Sequence, residues 1–240
     1  MATAHPDPHP QASTPTAPRP GWPEIIVGLV AMFAATTGLL AFGPLGLDLG
    51  PVSYGLVVAS WSGVAGLAGF AAAALIRIRS WGAFSVRRTT WRWMLLGVLG
   101  GLLALVVKYV VVSAITALTD FGSDPQGMYY DAASGGVLPM LLTLLFLAVL
   151  TPIGEEFLFR GVITNALLRY GPVVGVVSGS VIFAVCHGIN IVLPVAIIVG
   201  IIAAELMRRS GSIWPAVAVH AVNNMVLPLY AFFAGATGPV

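Results

Sequence analysis

Charge is what this 240-residue chain has least of. Only 8% of its residues are Asp, Glu, Lys or Arg, against 58% hydrophobic, and its mean hydropathy is +0.95. A soluble domain carries about 25% charged residues, so a water-facing surface cannot be built from this composition. A single cysteine, Cys186, excludes an intrachain disulfide. No His-Glu-x-x-His occurs, which disfavours that zinc-protease design. Sustained alternation of polar and apolar residues is missing, which disfavours an outer-membrane barrel. No internal repeat is seen, which weighs against the architecture of many transporters.

Apolar runs fill most of the chain. There are seven, at 25–47, 52–76, 93–118, 137–153, 173–188, 191–207 and 214–233. About 20 apolar residues cross the hydrocarbon core as a helix, and helices satisfy their own backbone groups in lipid. The expected fold is therefore all-α, a polytopic membrane protein with about seven transmembrane helices. Three of the runs are short and are expected to tilt, thin the bilayer or be buried by neighbours. The segment 157–170 reads as a continuation of the fourth helix, stopped by Gly171-Pro172. Residues 1–23, rich in Pro, Ala, Thr and Ser, read as a disordered tail. That tail is not expected to act as a signal peptide, and its His5 and His9 are expected to be inert. Residues 24–240 read as one domain, with a catalytic core at about 137–229.

Orientation is read from arginine. Arg77, Arg79, Arg87, Arg88 and Arg92 follow the second run, Arg160 and Arg169 the fourth, and Arg208 and Arg209 the sixth. Asp120, Asp124 and Asp131 follow the third. If the arginine segments are cytoplasmic, the N-terminus lies inside and the C-terminus outside. Trp81, Trp91 and Trp93 flank the basic loop as an interfacial belt would. Lys108, within the third run, is expected to snorkel.

Ionisable groups inside a membrane are expensive and usually functional. Here they cluster late, as Glu155-Glu156-x-x-x-Arg160, Phe183-x-x-x-His187 and His220-x-x-x-Asn224. Glu156 and Arg160 are i,i+4 neighbours suited to an ion pair. Glu155, about 100° further round the helix, is left over. Like charges close together raise one carboxylate pKa, which suits a general base. His220 and Asn224, also i,i+4, suit a side-chain oxyanion hole. Singly, each feature has a plain structural reading: a solvated helix end, a hydrogen-bonding histidine, interhelical glue. Three in succession on membrane helices argue for a site.

These three motifs, in order, resemble the CPBP family of CAAX proteases and bacteriocin-processing enzymes, also called Abi, over about 137–229. The resemblance implies an all-helical intramembrane endopeptidase. It implies Glu155 and His187 activating the attacking water, His220 and Asn224 binding the oxyanion, and Glu156 with Arg160 supporting the site. No cofactor is favoured. If zinc is held, Glu155, His187 and His220 are the set. Zinc is disfavoured because no spare acid is expected beside His220 to hold its other nitrogen. The site is expected to open toward the cytoplasm. The partners expected are membrane lipids and a peptide or protein substrate, lipidated if CAAX chemistry holds, and not nucleic acid. Two rival functions stand beside the protease: a non-catalytic membrane immunity or scaffold protein, and a small proton-coupled transporter.

Overall fold

A computed structural model describes residues 18–42, 49–119 and 125–235. His5, His9, Asp120 and Asp124 lie outside the described residues, as does the tail up to residue 17. The elements run α1 (Trp22–Phe42), α2 (Pro51–Ile76), a 3-10 turn (Trp81–Phe84), α3 (Trp91–Leu118), α4 (Gly127–Ser134), α5 (Val137–Tyr170), α6 (Pro172–Val185), α7 (Val192–Ser210) and α8 (Trp214–Ala234). No strand occurs among the described residues. Each of the seven apolar runs contributes a helix, the first over its described residues, since 43–47 lie outside them. Among the described residues four helices are long and apolar enough to cross a membrane: α2, α3, α5 and α8. The apolar stretches Trp22–Gly38 of α1 and Pro172–Val185 are shorter, and α7 carries Glu205, Arg208 and Arg209 in its last turns. The eighth helix, α4, falls where the sequence shows only a loop.

Helix α5 is 34 residues long, about 51 Å at 1.5 Å per residue, so it outruns the hydrocarbon core. The run 157–170 does continue the fourth helix. Pro152 removes one backbone donor and crowds the preceding turn, and π-helical turns at Leu145–Leu150 and Phe157–Thr164 bracket it. Such turns recur at functional sites. They lie on either side of Thr151–Glu156, the stretch that carries both glutamates.

Small residues bring α2 against this stretch. A Cβ on Gly154 would fall 2.0 Å from the Gly63 carbonyl oxygen, and one on Gly66 would fall 2.5 Å from the Gly154 carbonyl carbon. The two backbones therefore touch, as small residues permit in membrane bundles. The Thr151 hydroxyl donates to the Ala59 carbonyl across the same seam, at 3.2 Å.

The arginine segments gather at one end of the bundle. Ser212 Oγ donates to the Arg87 carbonyl (2.7 Å), Ile213 N to the Ser85 carbonyl (3.0 Å) and Asn165 Nδ2 to the Ala83 carbonyl (2.8 Å). Arg77 forks onto buried Glu24 at the start of α1, with both contacts at 2.9 Å. Arg169 donates to the Pro20 carbonyl. Arg160, grouped with loop charges in the sequence, is instead wholly buried within the bundle.

Candidate active site

The three motifs converge. Arg160 Nε lies 3.0 Å from Glu156 Oε2, and both side chains are fully buried. The other oxygen of Glu156 stands 2.9 Å from His220 Nδ1. Glu156 therefore bridges a guanidinium and an imidazole, and the spare acid not expected beside His220 is Glu156 itself. Its place was hidden because 64 residues separate the pair along the chain. The Arg160 guanidinium also lies 4.3 Å above the Phe183 ring, a desolvated cation–π contact.

Glu155 faces the other way. Its Oε1 accepts from Ser62 Oγ of α2 at 2.8 Å. Its Oε2 is buried, has no hydrogen-bond partner among the described residues, and stands 3.8 Å from His187 Nε2 and 3.9 Å from His220 Nε2. The Phe183 carbonyl is 2.9 Å from His187 Nδ1. A carbonyl only accepts, so that nitrogen carries the proton and neutral His187 presents a lone pair on Nε2. The same logic applied to ionised Glu156 places a proton on His220 Nδ1. The Phe183 ring supports both imidazoles edge-on, with centroids 4.7 Å from His187 and 5.7 Å from His220.

Asn224 donates from Nδ2 to the Leu147 carbonyl (3.0 Å) and accepts at Oδ1 from Asn223 (3.1 Å). Both contacts fix which way its amide points and leave one Nδ2 hydrogen over. A cavity of about 270 Å³ joins these groups, lined by Glu155, His187, His220 and both asparagines. Lys108 lines it too. Three further lining residues, Ser62, Tyr129 and Asn223, had no role in the sequence motifs. Burial first, then the Glu155 charge, pushes the Tyr129 phenol up to about 12, so Tyr129 on α4 stays protonated and able to donate.

The cavity runs away from the arginine end. Lys108 lies about 24 Å along α3 from Arg92, and the wall continues through Gln126, Tyr130 and Ile191. On the arginine side the site is closed by aromatic packing: Phe157 sits edge-on to Phe70 and Trp214, with centroids 5.0 and 5.9 Å apart. The cavity lining therefore extends toward the end of the bundle opposite the arginine segments.

Residues 136–226 match the family model of Type II CAAX prenyl endopeptidase Rce1-like proteins. The chain carries an Rce1-like segment. It spans α5 to most of α8 and contains all three motifs, so the resemblance to the CPBP family stands. No curated protein and no solved structure matches the chain. Helices α1–α4, which supply Ser62, Lys108 and Tyr129, lie outside the matched residues.

Proposed function

We propose that the chain is an intramembrane endopeptidase of the CAAX-protease kind, with Glu155 as general base. The observation that carries this reading is the buried, unpartnered Oε2 of Glu155 facing the Nε2 atoms of His187 and His220. A water held by Glu155 and His187 gives a proton to Glu155 as its oxygen attacks the scissile carbonyl carbon. The carbonyl oxygen becomes an oxyanion, received by the remaining Nδ2 hydrogen of Asn224 and by His220 Nε2. His220 donates there only as the imidazolium, because its Nδ1 hydrogen is engaged by Glu156. Collapse breaks the C–N bond, and the proton on Glu155 passes to the leaving amine.

The test is cleavage of membrane-associated peptides by the purified protein, read by mass spectrometry. New peptide termini that appear with wild-type protein and vanish with Glu155→Gln carry the proposal. Tight peptide binding without cleavage would favour the scaffold function instead. His220→Ala and Asn224→Ala are each expected to lower kcat by about 10²–10³ with little change in KM. Together they should cost much less than the product of the two, since they serve one charge. A rise in KM alone for both would mean they hold the ground-state substrate.

Zinc is the second reading, favoured by one observation. His220 Nδ1 is held by a carboxylate and His187 Nδ1 by a carbonyl, as metal-bound histidines usually are. The spacing opposes it. Ligand atoms on a tetrahedral zinc with bonds of about 2 Å stand roughly 3.3 Å apart, whereas Glu155 Oε2 is 3.8 and 3.9 Å from the two nitrogens. Among the described residues no three His, Cys, Asp or Glu side chains reach metal-holding geometry. The donors do not fit as they stand. Active protein is expected to hold far less than one zinc per chain by elemental analysis and to keep its turnover through prolonged chelation. Stoichiometric zinc, with activity lost on removal and restored on return, would establish the metal mechanism.

A further inference from the structure

We propose that the cavity at the arginine end binds the phosphate of an anionic phospholipid headgroup. This cavity, about 550 Å³, lies between the Trp81–Phe84 turn, the end of α5 and the α7–α8 turn. Asn165 on its wall is ten residues beyond Glu155, about 15 Å along α5, on the far side of the aromatic closure. It is therefore a different site from the candidate active site.

The walls carry Arg19, Arg87 and Arg208, and none of the described lining residues is acidic. Glu205 neutralises only part of its neighbourhood. One carboxylate serves both Arg208 (2.7 and 2.8 Å) and Arg209 (2.5 Å), so that group keeps a net positive charge. Arg87 is preset: its Nη2 donates to the Gly82 carbonyl at 3.1 Å. The turn that holds it is itself pinned, with Ser85 in the left-handed region at φ 57° and Asn165 Nδ2 bonded to Ala83 O. Planar guanidinium forks match phosphate oxygens, and hydroxyls of Ser80 and Ser85 stand among them. Leu168 and Met207 give the cavity an apolar side suited to the glycerol end of a lipid.

The height of the cavity selects lipid over a dissolved anion. Trp81 and Trp91 are exposed around the same end, and exposed Trp22 donates from Nε1 to Tyr170 Oη at 2.9 Å. Tryptophan and tyrosine gather at the headgroup level, and basic pockets between membrane helices at that level hold anionic headgroups.

The experiment titrates phosphatidylglycerol, phosphatidylcholine or inorganic phosphate into the purified full chain in a neutral detergent and follows its melting temperature. Phosphatidylglycerol should raise it, and the other two should not. Arg19→Gln/Arg87→Gln should bind phosphatidylglycerol about thirtyfold more weakly, the fold-change of about 1 kcal/mol from each lost arginine. Arg88→Gln, on the same loop but off the cavity wall, should keep the full shift. Arg87→Lys guards against misfolding, because it keeps the charge and should retain most of the shift. An undiminished shift in the double variant, or an equal one with phosphatidylcholine, overturns the proposal. A full shift with inorganic phosphate alone overturns the lipid assignment.

Discussion

Glu155→Gln is expected to insert, purify and melt like the wild type and to lose about 10⁴ in kcat. The carboxamide is nearly isosteric, and its oxygen can keep the 2.8 Å bond from Ser62, so packing against α2 survives. What disappears is proton affinity at Oε2, the oxygen that has no hydrogen-bond partner among the described residues. A positioned general base contributes typically about 10²–10⁴. Glu155 sits at the top of that range because it both takes the water proton and returns it to the leaving amine. Glu155→Ala should be equally inactive but less stable, since it opens a gap where α2 and α5 touch. Ser62→Ala provides the contrast: it removes an orienting bond and leaves the base, so it should slow turnover by far less than Glu155→Gln. Wild-type-like turnover by Glu155→Gln on any substrate the native protein cleaves would remove Glu155 from the chemistry and, with it, the proposed mechanism.

The motifs were legible because ionisable residues inside an apolar run stand out against it. Glu155, Glu156, Arg160, His187 and His220 needed no structure to be picked out, and their i,i+4 spacings gave Glu156–Arg160 correctly. Contacts between distant segments were not legible. Nothing in the sequence says that Glu156 reaches His220, and that one contact removes the sequence-based argument against zinc and fixes the tautomer of His220. Ser62 and Asn223 are uncharged polar residues in apolar runs, where a hydroxyl or amide is usually helix–helix glue. Asn223 is set apart only by the buried Oδ1 that has no hydrogen-bond partner among the described residues. Helix α4 escaped because its eight residues, Gly127–Ser134, are too few and too mixed for a periodic signal. The π turns around Pro152 have no sequence signature beyond the proline itself. The end of the bundle toward which the cavity lining extends was not legible for a related reason. The glutamates lie near the arginine-bearing end of α5 in sequence, but Phe70, Phe157 and Trp214, drawn from three helices, close that side.

Arg160→Ala is expected to be the most destabilising single change in the site, costing about 3–5 kcal/mol, because it strands a buried charge. Arg160 and Glu156 are both fully buried, so water cannot take over for the missing guanidinium. The loss also removes the cation over Phe183 and the guanidinium paired with Glu156. Melting in detergent should fall by roughly 10 °C, and whatever folds should be inactive. Glu156→Gln also strands a buried charge, that of Arg160, but its amide oxygen can still accept from His220 Nδ1, so it should cost less stability than Arg160→Ala, yet be severe in kcat, because the neutral amide no longer favours the imidazolium that receives the oxyanion. The double variant Glu156→Gln/Arg160→Met separates charge from packing. With neither charge present, nothing is stranded, and its stability should recover well above that of Arg160→Ala while activity stays lost. Strictly additive losses, or unchanged melting for Arg160→Ala, would mean that Glu156 is not held as a carboxylate by Arg160. His220 would then lack the anion that the oxyanion-hole assignment requires.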